Sequence, residues 1–155
     1  MHTVLHKRNI CAFTLIEIMI VVAIIGIIAG IAIPSYMKSR AEARLAACKQ
    51  NLKTIATAIE TCKIRHPELV EGDHSATYVL SINEDCVLYQ EGYLTTIPKC
   101  PGNGGEYQMW YYPMSGGYYY IRHNGGGTGA HADLGIQYPF PRYQSRGGVI
   151  EEKIP

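Results

Sequence analysis

An apolar run from Phe13 to Ile33 constrains this chain most, because every position in it is apolar or small except Thr14 and Glu17. As an α-helix, rising about 1.5 Å per residue, the run would span roughly 31 Å, enough to cross a bilayer core. An ionisable group within such a segment costs a few kcal/mol or more, so it usually faces a partner. We therefore expect Glu17 to be functional and to pair with another group.

The segments on either side of the apolar run decide what kind of membrane helix it is. An ordinary signal anchor, with Glu17 near the lipid headgroups, is the simplest alternative. The leader of residues 1–12 is polar and carries Lys7 and Arg8, which predicts a cytoplasmic N-terminus by the positive-inside rule. A secretory signal is cleaved at a small-x-small site after its apolar core, but here the run passes straight into a polar segment at Pro34.

Three features of this region occur together: the basic leader, the run Ala12-Phe13-Thr14-Leu15-Ile16-Glu17, and an apolar stretch that ends in Ile33-Pro34-Ser35-Tyr36. Together they resemble the class III signal of bacterial type IV pilins and type II secretion pseudopilins. The resemblance is close from Lys7 to Tyr36 and looser along the helix that follows. The chain departs from the family pattern at Ala12, because the family usually has Gly before the cleavage site.

The resemblance implies a maturation pathway and a set of partners. A prepilin peptidase would cut between Ala12 and Phe13 on the cytoplasmic side and methylate the new amine of Phe13. The precursor would span the bacterial inner membrane once, with its globular domain outside the cytoplasm. Inner-membrane pilus or secretion machinery would then assemble identical or related pilin subunits into an extracellular or periplasmic filament. Glu17 of one subunit would meet the Phe13 ammonium of a neighbour, and a subunit out of register would leave both charges unpaired.

Two further features of the apolar run bear on assembly. Gly26 and Gly30 form a small-xxx-small pattern, which lets helix backbones approach closely, although a chance pair in a glycine-tolerant membrane helix is an equal alternative. Pro34 lacks an amide hydrogen and is predicted to kink or locally open the helix. In the family this region can unwind in the filament, which the resemblance places at Gly30 and Pro34.

The polar segment from Ser35 to about Arg65 is predicted to continue as an amphipathic helix that ends before Pro67. Its apolar positions recur in steps of four and three, which is a sustained helical seam. They are Ala41, Leu45, Cys48, Leu52, Ile55, Ile59 and Cys62.

The resemblance implies an α+β fold of the pilin type, in which a long N-terminal helix with a hydrophobic first half packs its amphipathic second half on a small, disulfide-bonded antiparallel sheet. The expected parts are a leader (1–12), a transmembrane and filament-core helix (13–34), an amphipathic helix (35–66), a connecting region (67–105), and a hairpin with a C-terminal tail (106–155).

The connecting region and the tail contain weaker predictions. Thr77 to Ile82 is predicted to be a short strand and Asn83 to Gln90 a short helix. In the family that this chain resembles, the connecting region is exposed, which implies that it is a candidate for subunit contacts. Glu106 to Tyr112 and Tyr118 to His123 are predicted to form a hairpin around a Pro- and Gly-containing turn. The tail from residue 137 is expected to form an edge strand or a surface wrap.

The cysteines suggest disulfides. Cys11 lies in the leader, and the four others are an even number in a small exported domain, which favours two disulfides. Buried free thiols and a tetrahedral zinc site are the alternatives, although no CxxC pair is present. Cys48 and Cys62 cannot bridge each other, because they are roughly 21 Å apart along one helix.

Two pairings remain: Cys48–Cys100 with Cys62–Cys86, or Cys48–Cys86 with Cys62–Cys100. The first is favoured because the chain turns at Pro67 near Cys62, so that Cys86 returns to that end. The segment from Gly92 to Pro101 also resembles pilin-like proteins in which a "YL…IP.CP" segment pairs with a cysteine on the long helix.

The hairpin aromatics and a histidine pair are the candidate ligand sites. The aromatics could form a stacking surface for sugars or bases, but they also favour strands, and half of them are expected in the core. They are Tyr107, Trp110, Tyr111, Tyr112, Tyr118, Tyr119 and Tyr120. His123, His131 and Asp133 could ligate a metal, but they flank a glycine-rich loop and are expected to face solvent. For calcium, Asp133 is the lone acidic candidate between Tyr107 and Gly148, so we expect no metal and no cofactor.

The whole chain favours a structural role. It has 155 residues and a formal net charge of +1, so nothing global suggests a nucleic-acid partner. No HExxH or GxSxG pattern is present, and an enzyme is not expected. The expected function is a pilin or pseudopilin that polymerises through its N-terminal helix. The alternative is a membrane-tethered, adhesin-like binding module that displays the aromatic hairpin and tolerates Glu17→Leu.

Overall fold

The structure, a computed structural model, describes residues 13–67, 78–112, 118–124, 131–134, 136 and 141–150. Within these residues it contains one long helix, one short helix, a single 3₁₀ turn and five strands. The predicted leader, including Ala12, lies outside the described residues, as do the hairpin turn at 113–117 and residues 137–140 and 151–155 of the predicted tail.

The long helix α1 spans Leu15–Arg65 without interruption. It confirms both predicted helical segments and joins them into one element. Pro34 lies inside it, and the helix does not end there; the predicted kink or local opening at Pro34 stays a prediction. The chain divides into two compact units, Met1–Met37 and Lys38–Pro155, and α1 contributes its first part to one and the rest to the other.

Five strands form an antiparallel sheet in the sequential order β1-β2-β3-β4-β5. Their bounds are β1 Tyr78–Ile82, β2 Tyr107–Tyr112, β3 Tyr118–His123, β4 Arg142–Gln144 and β5 Gly148–Ile150. The predicted hairpin is confirmed as the pairing of β2 with β3. The predicted edge strand in the tail is confirmed as β5, which pairs only with β4 among the described strands.

The core lies between one face of the sheet and the seam of α1. All seven apolar positions of the predicted seam are buried, which confirms the period of the helix. Strands β2 and β3 bury alternate residues against this seam, as a period of two along a strand requires. The hydroxyl of Tyr119 on β3 donates to Glu60 Oε1 on α1 at 2.5 Å, and the Lys63 Nζ atom lies 5.7 Å from the Tyr119 ring centroid.

The short helix of the connecting region is smaller than predicted. It was expected to start at Asn83, but α2 spans only Val87–Gln90, with Cys86 as its N-cap residue. The Asn83 side chain instead accepts a hydrogen bond from the Asp85 amide at 3.2 Å, and the Asn83 carbonyl accepts one from the Cys86 amide at 3.1 Å. An Asn side chain that bonds to the backbone two residues later favours a turn, which explains the late start.

A tight loop joins Cys100 to β2 and depends on Gly105. The Cys100 amide donates to the Gly105 carbonyl at 2.8 Å, which closes the loop. A Cβ atom at Gly105 would lie 2.7 Å from the backbone oxygen of Asn124. Because that neighbour is backbone, it cannot rotate away.

We expect Gly105→Ala to lower the free energy of unfolding by about 1–3 kcal/mol, the usual cost of overpacking. Gly147→Ala is the matched control, since a Cβ atom there meets nothing closer than 3.7 Å. Urea unfolding of both variants, followed by the fluorescence of Trp110, the only tryptophan in the chain, measures the difference. Equal midpoints for the two variants would contradict the prediction.

Candidate assembly site and buried thiol cluster

The N-terminal unit presents an uncovered apolar surface. Each large apolar side chain that it contributes from Phe13 to Met37 is exposed, with fractional exposures from 52% to 79%. The helix is long and apolar enough to cross a membrane. A continuous apolar surface of this kind needs either lipid or other apolar helices to cover it.

The start of α1 is closed by three reciprocal hydrogen bonds between Thr14 and Glu17. Glu17 Oε2 accepts from the Thr14 amide at 2.9 Å and from the Thr14 hydroxyl at 2.8 Å, while the Glu17 amide donates to Thr14 Oγ1 at 3.3 Å. This is a capping box, in which a Thr at the N-cap and a Glu three residues later satisfy each other's donors. The partner expected for Glu17 lies in another subunit, but the Thr-x-x-Glu pattern of the sequence also indicates this local partner.

The glycines of the N-terminal unit lie on open surface. A Cβ atom at Gly26 or Gly30 would meet nothing within 4 Å. The positions are therefore compatible with the close approach of a second helix, and their role in helix packing stays a prediction.

The outward face of the sheet carries a row of aromatic and guanidinium groups. Tyr107, Tyr111 and Tyr119 are buried in the core, which confirms that about half of the hairpin aromatics are internal. The other four, which are half-buried, are Trp110, Tyr112, Tyr118 and Tyr120.

These outward rings pack on one another and on arginine. The rings of Trp110 and Tyr120 are parallel within 4°, with centroids 6.1 Å apart. The guanidinium carbon of Arg122 lies 4.6 Å from the Trp110 ring, and that of Arg142 lies 5.5 Å from the Tyr120 ring. Partial burial among these groups raises the pKa of Tyr120 to about 12.

The four cysteines that the structure describes are all buried, free thiols. The Sγ atoms of Cys48 and Cys100 lie 3.9 Å apart, well beyond the roughly 2.05 Å of a disulfide. Neither Cys48–Cys100 nor Cys62–Cys86 is confirmed as a disulfide, and both stay predictions. Burial raises the pKa of the Cys86 thiol.

The two histidines near the glycine-rich loop are not solvent-facing, so that expectation was wrong. His123 and His131 are 0% and 1% exposed. His123 ends β3 on its buried face, and His131 Nε2 lies 3.8 Å from Cys100 Sγ. Asp133, the third residue of the predicted group, is exposed.

Comparison with known proteins identifies relatives over the N-terminus and over most of the chain. The family described as "Prokaryotic N-terminal methylation motif" matches residues 7–33. The type IV major pilin protein PilA of Myxococcus xanthus is 59% identical over 46 residues, which are 30% of this chain and 21% of that protein. The type IV major fimbrial protein FimA of Dichelobacter nodosus is 49% identical over 59 residues, 38% of each chain.

A third relative extends well beyond the N-terminal helix. The type II secretion system core protein G of Pseudomonas aeruginosa is 32% identical over 108 residues, which are 66% of this chain and 76% of that protein. No solved structure matches the chain. The likeness to PilA and FimA thus covers 30% and 38% of this chain, whereas the likeness to core protein G covers 66% of it.

Proposed function

This chain belongs to the family of type IV pilins and type II secretion pseudopilins, and from that premise we propose that it is a structural filament subunit made by cleavage between Ala12 and Phe13. The observation that carries the proposal is the uncovered apolar helix that begins two residues after the proposed cleavage site. A subunit that keeps this helix can exchange lipid for the helices of its neighbours. We propose no catalytic role.

In this proposal the new Phe13 amine is methylated by the same prepilin peptidase. The precursor sits in the inner membrane with its basic leader in the cytoplasm. The assembly machinery of the inner membrane then moves it into an extracellular or periplasmic filament of identical or related subunits. The exposed large apolar side chains are concentrated before residue 38. This distribution supports the proposal, because the same segment can be covered first by lipid and then by neighbouring subunits.

We propose that Glu17 fixes the register of a neighbouring subunit. Its carboxylate already accepts two hydrogen bonds from Thr14 at the helix start, and the positive end of the helix dipole further favours its charge. The Glu17 carboxylate is thereby held at the same end of the helix as the new amine of Phe13. A methylated ammonium from an adjacent subunit can pair with it only when the two helices are in register.

Mass spectrometry of the chain from its native cell envelope, without reduction, tests the maturation step. We expect a mature protein that begins at N-methylated Phe13 and lacks residues 1–12. Cells without the peptidase provide the control, in which the leader should be retained. A chain that still carries residues 1–12 in cells with an active peptidase would contradict the proposal.

A membrane-tethered binding module is the second candidate function, and the aromatic and arginine row on the outward face of the sheet favours it. In this case the helix is only an anchor. The two candidates separate at Glu17, because an anchor tolerates Glu17→Leu and a filament subunit does not.

A further inference from the structure

Three metal-ligating side chains from distant parts of the chain converge in the core of the globular unit. Cys48 comes from the seam of α1, Cys100 from the loop before β2, and His131 from the start of the 3₁₀ turn Ala132–Leu134. All three are buried, and their possible ligand atoms lie within 4.8 Å of one another.

The spacing of these atoms is that of a tetrahedral metal site. With Zn–S bonds of about 2.3 Å and Zn–N bonds of about 2.0–2.1 Å, tetrahedral angles place two sulfurs about 3.8 Å apart and a sulfur and a nitrogen about 3.6 Å apart. The Cys48 and Cys100 sulfurs are 3.9 Å apart, and Cys100 Sγ and His131 Nε2 are 3.8 Å apart. Two of the three distances thus match a tetrahedral site within a few tenths of an ångström, and the third pair, Cys48 Sγ and a His131 ring nitrogen, lies within 4.8 Å.

The sulfur of Cys48 has a hydrogen-bond donor beside it, as a metal-bound thiolate requires. The loop that carries Cys100 folds back on itself, because the Gly104 amide donates to the Cys100 carbonyl at 2.7 Å. The Tyr107 hydroxyl donates to Cys48 Sγ at 3.2 Å, and the Asn51 side-chain amide donates in turn to the Tyr107 oxygen at 3.4 Å. Such outer-shell donors orient and tune metal ligands.

The charge of the set also suits its burial. Two thiolates and one neutral imidazole cancel the charge of a divalent cation, so the occupied site adds no net charge to the core. His123 brings a second buried imidazole to the same region, with its ring perpendicular to that of His131 and the two centroids 6.4 Å apart.

We propose that Cys48, Cys100 and His131 bind a divalent transition metal, with Zn²⁺ as the expected ion. Thiolate and imidazole ligands select such metals over calcium or magnesium. The ion would fasten the loop at Cys100 and the segment at His131 to α1, which makes it a structural centre of the globular unit. The same two sulfurs cannot also form the predicted Cys48–Cys100 disulfide, so the two outcomes exclude each other.

The first experiment measures metal in the full chain, purified in detergent without chelator or reductant. We expect about one zinc per chain by elemental mass spectrometry. Replacement of that zinc by Co²⁺ should give a thiolate-to-cobalt charge-transfer band. A chain isolated with Cys48 and Cys100 joined and two hydrogens lighter would overturn the proposal, and so would reduced thiols that bind neither ion.

Matched variants locate the metal. His131→Asn should weaken Co²⁺ binding by more than the 10- to 100-fold typical of outer-shell changes. His66→Asn, directly after the end of α1 and roughly 27 Å from Cys48 at the rise of a helix, should bind like the parent chain. Equal binding by the two variants would place the ion elsewhere and overturn the assignment.

A second pair of variants keeps all three proposed ligands. One variant removes a buried hydroxyl that contacts a ligand sulfur, and the other removes a hydroxyl elsewhere on the same strand. Tyr107→Phe deletes the hydroxyl that donates to Cys48 Sγ, and we expect it to weaken Co²⁺ binding about 10- to 100-fold. Tyr111→Phe makes the same change at another buried position of β2 and should leave binding unchanged. If Tyr107→Phe binds Co²⁺ as tightly as Tyr111→Phe does, the proposed geometry is wrong.

Discussion

Glu17→Leu is expected to abolish filament assembly while leaving membrane insertion and the globular unit intact. In an apolar filament interior, the Phe13 ammonium of a neighbour would lose its partner, and an unpaired buried charge costs about 3–5 kcal/mol. That corresponds to a loss of roughly 100- to 4,000-fold in the equilibrium for adding a subunit. Insertion should not suffer, because leucine is more favourable than glutamate within a membrane helix. Immunoblots of sheared surface or periplasmic filaments against the membrane fraction measure both effects.

The capping box makes a sharper variant available. Glu17→Gln removes the charge but can keep the hydrogen bond to Thr14, because Gln also serves at the third position of a capping box. We expect it to fail in assembly nearly as fully as Glu17→Leu. Glu42→Gln, an exposed glutamate on the same helix, is the matched control and should assemble normally. Wild-type assembly by Glu17→Gln would show that the cap, and not an ion pair between subunits, is what this residue provides.

Periodic patterns allowed most of the architecture to be predicted from the sequence. The seam from Ala41 to Cys62 recurs with the helical period, and burial of every position in it follows from packing one stripe against a sheet. The alternation in β2 and β3 similarly separates the core tyrosines from the outward ones. Both patterns are local and repeat several times, so one exception does not obscure them.

Single side chains that act on their own backbone were harder to interpret. Asn83 resembled a helix start, but its side chain forms a turn two residues ahead and delays the helix to Val87. Thr14 and Glu17 were treated as unrelated residues in an apolar run, although they bond to each other. In each case one hydrogen bond decides the local structure, and a sequence pattern only indicates that it is possible.

The thiol and histidine cluster could not be predicted, because it depends on three segments far apart in the chain. The sequence offers a zinc site of four cysteines or a metal site of His123, His131 and Asp133 as alternatives. A site that combines cysteines with a histidine is not among them. A histidine beside a glycine-rich stretch was expected in solvent, and only the fold shows that His131 is buried against Cys100. Contacts between such distant residues follow from the tertiary packing, which local sequence patterns do not predict.

The packing of α1 on the sheet leads to a second large effect, at Ile59. This side chain is 0% exposed within the main core, and we expect Ile59→Ala to lower the free energy of unfolding by about 2–5 kcal/mol, through lost burial and the cavity left behind. For a small domain that is a large share of a total stability of about 5–15 kcal/mol.

Ile64 provides the matched control, because it has the same side chain on the same helix and is 82% exposed. Ile64→Ala should change the free energy of unfolding by less than about 0.5 kcal/mol, since it removes almost no buried area and alanine favours a helix. Urea unfolding in detergent, followed by Trp110 fluorescence, compares the two variants directly. A similar shift for both would mean that α1 does not pack on the sheet through this seam. A large shift for Ile59→Ala alone would establish that the folded globular unit depends on the packing of the second half of α1 against the sheet. Loss of the seam would then unfold the domain that the filament carries.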